Sequence, residues 1–192
     1  MKIVRLILTF TLAAAILILQ SCGGAGSGVA SLNTTMVTAT VDTLILDSDI
    51  VAWVDATGAK ATWCGSTSIP STPASDSVNV TVTPKAYSNT VSNALPVRVE
   101  SATISYEPAN TSTPPMASEY QTIGQVIQAP LSVPVRVSSQ EQKQSLFNVL
   151  ACNGIIYNYY VTISINVTEV GTDKKDTVTT KMQLRFSDYL EK

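Results

Sequence analysis

Residues 161–186 read VTISINVTEVGTDKKDTVTTKMQLRF, and this stretch is the clearest structural signal in the chain. Apolar and polar residues alternate in two runs, with the apolar positions at Val161, Ile163, Ile165 and Val167 in the first run and at Val178, Met182, Leu184 and Phe186 in the second. A period of two places every second side chain on one face of a strand. The polar turn at 171–176 joins the runs. The stretch therefore predicts a long antiparallel hairpin with one buried and one solvent-exposed face.

The period of two recurs upstream of this hairpin. Alternating segments occupy 37–41, 78–82 and 131–137, a short apolar run occupies 50–54, and 97–106 alternates with one change of phase. A bulge near Ser101 would explain the phase change, because one extra residue moves the following side chains to the other face. Pro134 has no backbone donor, which predicts an edge strand or a strand whose proline lies on its unpaired side. Together these strands predict an all-β fold, an immunoglobulin-like antiparallel β-sandwich with one short helix.

Four segments depart from the strand pattern. Ser138 precedes Glu141 by three positions, as in a capping box, and 139–150 contains no Gly or Pro, which predicts the helix there, across one end of the sandwich. Residues 65–77 and 107–130 are rich in Ser, Thr and Pro and are predicted to be long loops. Residues 23–33, GGAGSGVASLN, are typical of a flexible tether.

The N-terminus has the pattern of a secretory signal. Lys2 and Arg5 precede an apolar stretch at 6–19, and small Ser21 stands at the cleavage position. The segment 19–22, Leu-Gln-Ser-Cys, resembles the lipobox of bacterial lipoproteins. The resemblance implies that Cys22 carries a diacylglyceryl group, that the chain is cut before Cys22, and that the new amine is acylated.

Two alternatives to a lipid anchor remain for this segment. One is an ordinary signal peptide, which would leave Cys22 as a free thiol. The other is a transmembrane anchor, but the apolar stretch is shorter than the roughly 20 residues that span a bilayer. Gly23 stands where an Asp would retain a lipoprotein at the inner membrane, so the resemblance implies the outer membrane. The predicted organisation is a cleaved signal helix at 1–21, the lipidated Cys22 with its tether at 22–33, and the β-sandwich at 34–192.

With Cys22 lipidated, Cys64 and Cys152 remain. In an oxidising envelope such a pair predicts one disulfide, and two buried free thiols are the alternative. A disulfide that closes the 88 residues from 64 to 152 would add on the order of 4 kcal/mol in the chain-entropy model.

Composition argues against several classes of function. The chain contains no His, which removes Ser-His-Asp and Cys-His catalysis and the commonest zinc ligand. No Ser stands three positions before a Lys, and no Gly-rich phosphate loop opens a helix. The formal net charge is −2 and there is no basic stripe, so nucleic acid is not an expected partner. We expect no catalytic residue, no metal site and no cofactor.

Two groups of side chains are candidates for binding. Exposed aromatics could form a platform for a sugar or a partner protein, and the candidates are Trp53, Trp63, Tyr157 and Tyr159. The acids between Asp42 and Asp55 could offer oxygen ligands to calcium, although their spacing differs from an EF-hand loop. A glycosidase would need a pair of carboxylates, for which Glu100, Glu107 and Glu119 are candidates, but solvated surface acids are the simpler interpretation.

Two functional hypotheses follow from these residues. The first is a non-catalytic protein of the cell envelope, anchored to a membrane through Cys22, which binds or scaffolds another envelope component. Its edge strands and loops are the predicted contact surfaces. The second is a carbohydrate- or calcium-binding adhesion module, which would use the aromatics or the acids.

Overall fold

The computed structural model describes residues 28–61, 69–71, 73–87 and 94–189. The predicted signal peptide, Cys22, Trp63 and Cys64 lie outside these residues. The described strands are β1 (Val29–Ser31), β2 (Thr35–Val41), β3 (Ile45–Asp49), β4 (Ala52–Val54), β5 (Ile69–Ser71), β6 (Asp76–Ala86), β7 (Val97–Pro108), β8 (Glu119–Ile127), β9 (Leu131–Ser138), β10 (Tyr157–Glu169) and β11 (Lys175–Ser187). One helix, α1 (Gln140–Leu150), is described.

Two sheets pack face to face. One has the strand order β1-β2-β6-β9 and the other has the order β3-β11-β10-β7-β8, while β4 and β5 form a separate hairpin. The series β2-β6-β9 opposite β11-β10-β7 matches the A-B-E and G-F-C strands of an immunoglobulin sandwich, and β3 runs parallel to β11. The predicted all-β, immunoglobulin-like sandwich is confirmed.

Residues 161–186 form the centre of the second sheet. In the antiparallel register of β10 and β11, Val161 lies opposite Met182 and Ile165 lies opposite Val178. Val161, Ile163, Ile165 and Leu184 are fully buried, as the alternation predicts. The turn between the strands contains Gly171 at φ +96° and Asp173 at φ +54°, the left-handed conformation that Gly and Asp adopt most readily.

The phase change in β7 arises from a bulge, as predicted. Val99 pairs with Val167 and Ser101 with Asn166, so Glu100 is an extra residue on β7. On the other side of β7, β8 has its own extra residue, and Gly124 there has φ +72°. The bulges let Val99 and Ala102 both face the core.

Helix α1 closes one end of the sandwich, which we call the helix end. Its cap lies one residue later than the sequence predicted: Ser139 is the N-cap and forms a capping box with Gln142. The Lys143 side chain is only 3% exposed, and its Nζ lies 2.9 Å from Asp76 Oδ2. That carboxylate also accepts hydrogen bonds from Ser48 and Ser138, so the network joins α1 to both sheets. The opposite end, with the β1–β2, β8–β9 and β10–β11 turns, is the turn end.

Several boundaries differ from the sequence prediction. The sandwich includes residues from 28 onward rather than from 34, since β1 lies within the predicted tether and Ala30 is fully buried. Residues 107–130 include β8, and residues 65–77 include β5 and the start of β6, so neither stretch is one long loop. Within 50–54, Ile50 and Val51 are buried but only 52–54 form a strand.

No helix in the described part of the chain has the length and apolar content needed to cross a bilayer.

Candidate functional site

A groove of about 610 Å³ lies near the helix end, where β8, β9 and the start of α1 meet. We call it the Tyr120 groove. Its lining side chains are polar: Ser75, Glu119, Tyr120, Arg136, Ser139, Gln140, Glu141 and Gln144. The groove combines one cation, two carboxylates, amides and hydroxyls on one surface.

The groove exists because two edge strands of different sheets approach each other. Among the described strands, β8 pairs with β7 alone and β9 pairs with β6 alone. The Gln121 side chain bridges them: its Nε2 donates to the Pro134 carbonyl at 3.0 Å, and its Oε1 accepts from the Arg136 amide at 3.1 Å. Gln121 thus supplies to β9 the hydrogen bonds that a neighbouring strand would supply.

An ion pair lies beside this bridge. Arg136 Nε donates to Glu119 Oε2 at 3.1 Å, and the Arg136 side chain remains half exposed. The guanidinium therefore keeps donors that face the groove, because one carboxylate oxygen occupies only one of its five N–H groups. Tyr120 is next to Glu119 in sequence and is 64% exposed.

The first turn of α1 forms the other wall. The capping box fixes this wall, because the Ser139 amide donates to Gln142 Oε1 at 2.9 Å while the Gln142 amide donates to Ser139 Oγ at 3.3 Å. The positions of Gln140, Glu141 and Gln144 along the groove follow from this fixed start of the helix.

Tyr106 lies beneath the groove and stiffens it. Its hydroxyl donates to the Val137 carbonyl at 3.1 Å, which joins β7 to the end of β9. Desolvation by burial raises the pKa of Tyr106 to about 12. The phenol therefore stays protonated and keeps its donor at all ordinary pH values.

The chemistry of the groove suits recognition of a polar ligand. Its walls carry both donors and acceptors, and the exposed ring of Tyr120 offers an apolar face beside them. Sugars and polar peptide segments present the same mixture of hydroxyl or amide groups and small apolar faces. Because Arg136 already pairs with Glu119, the groove carries no large excess of one charge.

Of the described aromatics that the sequence suggested for a platform, two are buried. Trp53 is buried, donates from its indole Nε1 to Asp188 at 3.1 Å and packs near Phe147 with ring centroids 6.5 Å apart. Tyr159 is fully buried, and its ring contacts Tyr106 and Phe186 edge to face. Tyr157 is half-buried at the start of β10, and Trp63 lies outside the described residues. Trp53 and Tyr159 are core residues and present no surface to a ligand.

The acids between Asp42 and Asp55 are dispersed, each with its own protein partner. Asp42 accepts from Asn79, Asp47 pairs with Arg185 at 2.6 Å, and Asp49 accepts from the amides of Val51 and Tyr189. Asp55 caps its own turn, and the hydrogen bonds from Thr57 and Ala59 lower the pKa of its carboxyl. Within the described residues, no cluster of three or more acidic, Cys or His side chains could hold a metal ion.

Two of the three candidate catalytic carboxylates, Glu100 and Glu119, are also separated. Glu119 pairs with Arg136, and Glu100 accepts from Thr168 Oγ1 at 2.8 Å. Glu119 lies opposite Ile104, four residues along β7 from Glu100. This corresponds to about 13 Å along the strand, beyond the 5–9.5 Å that separates glycosidase carboxylates.

Cys152 is two residues after the end of α1 and has φ +62°. Its backbone amide donates to Asp188 Oδ2 at 2.7 Å, the carboxylate that also accepts from Trp53. Cys64 lies outside the described residues, so the disulfide between 64 and 152 stays a prediction.

Sequence reasoning did not identify the groove because it treated 107–130 as a loop. In the structure, Glu119, Gln121 and Ile123 are more buried than Tyr120 and Thr122. This alternation around a Tyr, followed by Gly124 before Val126 and Ile127, was the available signal for a strand with a bulge.

Comparisons of the chain with models of protein families, with curated proteins and with solved structures find no significant match.

Proposed function

We propose that this chain is a non-catalytic, lipid-anchored protein of the cell envelope whose β-sandwich binds another envelope component through the Tyr120 groove. The observation that carries the binding role is the groove itself, in which an exposed aromatic lies beside a half-exposed guanidinium and a wall of amides. Aromatic and Arg side chains dominate the energetics of binding surfaces.

The rigidity of the groove supports recognition rather than passive exposure. The Gln121 bridge, the Tyr106 hydroxyl and the capping box fix its two walls. A preformed surface binds with a smaller loss of conformational entropy than a mobile loop does.

The anchor is supported by the lipobox resemblance at 19–22. Two or three acyl chains, at about 0.8 kcal/mol per buried methylene, hold a protein on a membrane far more firmly than one chain can. The proposed location is the outer membrane, as the resemblance implies from Gly23. The sandwich would then lie on either face of that membrane.

The binding role is tested by site-specific photo-crosslinking in cells. A benzophenone amino acid replaces Tyr120 in one variant and Tyr160 in the other. Tyr160 is a matched control, since it is 54% exposed but lies on β10, away from the groove. We expect a discrete adduct from position 120 and none from position 160. Equal adducts at both positions, or none at 120, would contradict the proposed site.

The anchor is tested by Cys22→Ser with Ser27→Ala as the control. We expect the Cys22→Ser protein in the soluble fraction and the control in the membrane fraction. Retention of Cys22→Ser in the membrane fraction would show that the lipobox interpretation is wrong.

A carbohydrate ligand is the second candidate, and the Tyr120 ring beside Glu119, Arg136 and Gln144 favours it. Sugars stack on an aromatic face while planar polar groups bind their hydroxyls. Calorimetry with soluble fragments of envelope polysaccharide tests this candidate. Tyr120→Ala should weaken binding at least about tenfold, as loss of a dominant aromatic contact does, and Tyr160→Ala should leave it unchanged.

A further inference from the structure

The point where the chain enters the sandwich limits its distance from the proposed anchor. The Gly28 amide donates to the Thr179 carbonyl at 2.7 Å, which fixes Gly28 on the outer edge of β11. Gly28 is six positions after Cys22. Whatever its conformation, a stretch of six residues spans at most about 22 Å.

This limit excludes one orientation of the sandwich. Thr179 is four residues from the start of β11 and eight from its end, the end at which α1 lies. At about 3.3 Å per residue, Gly28 is roughly 13 Å from the turn end and 26 Å from the helix end. If the helix end faced the bilayer, Gly28 would lie beyond the reach of the six residues. The surfaces that could still face the bilayer are the turn end and the edge beside Gly28.

That edge is formed by one strand from each sheet, β1 and β3. β1 follows directly from Gly28, and β3 pairs in parallel with residues 183–187. We call this border the β1–β3 edge. Val29, Leu44 and Ile45 lie on it, and each is more than half exposed. The distance from Thr179 to Gln183, which donates to the Leu44 carbonyl, corresponds to about 13 Å along β11.

The chemistry of the two remaining surfaces separates them. At the turn end, the β10–β11 turn contains Thr172, Asp173 and Lys174, which are exposed and polar. Such side chains gain nothing from contact with acyl chains. Contact with the bilayer is favourable for Val29, Leu44 and Ile45, because each apolar side chain that enters the membrane interface is removed from water.

We propose that the β1–β3 edge lies against the bilayer, with Val29, Leu44 and Ile45 at the level of the lipid headgroups. This inference rests on the proposed lipid anchor at Cys22. It assigns a lipid surface as the partner of this edge and leaves the Tyr120 groove, on the far side of the sandwich, open to the aqueous phase.

Depth-dependent fluorescence quenching tests the orientation. Ile45→Cys and Val126→Cys are each labelled with a polarity-sensitive fluorophore in the full lipidated protein, reconstituted in phosphatidylethanolamine–phosphatidylglycerol vesicles. Val126 is the matched control, since it is 56% exposed against 52% for Ile45 and lies on β8, the opposite edge of the same sheet. The chain without an added cysteine gives the background labelling.

We expect a blue-shifted emission at position 45 and several-fold stronger quenching by shallow spin-labelled lipids than at position 126. Equal weak quenching at both positions would overturn the inference. A blue shift at 45 without lipid quenching would also overturn it, since a second copy of the chain or another protein would then cover the edge.

Intact mass spectrometry of the same samples distinguishes a failure of the proposed lipid anchor from a failure of the proposed orientation. A lipidated mass together with weak quenching at 45 overturns the orientation and leaves the anchor standing. An unlipidated mass overturns the anchor, and the orientation is overturned with it.

Discussion

Glu169 connects the first turn of the sandwich to the last hairpin. Its Oε1 accepts from the Thr34 amide at 2.9 Å and from the Thr34 hydroxyl at 2.7 Å, while Oε2 accepts from Thr172 at 2.7 Å. Desolvation by burial raises the pKa of this carboxyl, but the hydrogen bonds from Thr172 and Thr34 outweigh it and bring the pKa to about 2. The charged form is therefore part of the folded structure.

This makes stability depend on pH in a defined range. The pKa of about 2 in the folded chain is below that of about 4.3 for Glu in an unfolded chain. The contribution of Glu169 is therefore fully present above pH ~5 and is lost as the pH falls toward 2. At pH 7 we expect Glu169→Gln to be less stable than the wild type by roughly 2–3 kcal/mol.

Urea unfolding at pH 7, 4 and 2 measures this dependence. The difference in the free energy of unfolding between Glu169→Gln and the wild type should become smaller toward pH 2. Glu107→Gln is the control, because Glu107 is exposed on β7 and its replacement should change little at any pH. A difference for Glu169→Gln that stays constant from pH 7 to pH 2 would contradict the assigned role of the charge.

At the scale of elements, the two sheets are joined along one side by a side chain rather than by a strand. Gln121 of β8 occupies both the Pro134 carbonyl and the Arg136 amide of β9. An open edge strand presents such groups to other chains and promotes association. The bridge therefore protects β9 as well as shaping the groove.

Gln121→Ala should open this edge. We expect the free energy of unfolding to fall by about 1–3 kcal/mol, because a carbonyl and an amide lose their partners. We also expect an increased tendency to self-associate. Urea unfolding and light scattering after size-exclusion chromatography measure the two effects. Thr122→Ala is the control on the same strand, since Thr122 is exposed. A fully monomeric Gln121→Ala protein of unchanged stability would show that the bridge does not protect the edge.

The sequence predicts the elements whose two faces differ. β2, β6, β7, β9, β10 and β11 bury one face, so their alternation is visible, and the bulge in β7 appears as a change of phase. The elements that the sequence pattern does not predict are short or lie at the edges of the sheets. β3 reads Ile-Leu-Asp-Ser-Asp, in which the acids suggest a turn, and β8 is mostly exposed with its alternation broken at Gly124.

The candidate site could not be predicted for the same reason. Glu119 and Tyr120 belong to β8, which looked like a loop, while Arg136 lies on β9 and Gln140 on α1. Their convergence depends on how two sheets meet, and local patterning contains no information about that. The aromatic residues were visible in the sequence, but exposure is a tertiary property, and Trp53 and Tyr159 are buried.

At the scale of the molecule, the predicted disulfide would join the end of α1 to the 62–68 segment. Cys64→Ser and Cys152→Ser should each lower the free energy of unfolding by roughly 2–5 kcal/mol, and the double variant should lose no more than either single one. Urea unfolding of the three variants tests this coupling. Additive losses would indicate two independent buried thiols.

β11, the last of the described strands, is an interior strand of its sheet. β11 pairs with β10 on one side, while β3 and Gly28 share its other side. The Asp47–Arg185 ion pair joins positions 138 residues apart. Among the described strands, β3 therefore lacks a partner in its sheet until β11 is available, whereas β2 and β6 can pair earlier. Closure of so long a loop is slow, so we expect the β1–β3 edge to complete the sandwich late in folding.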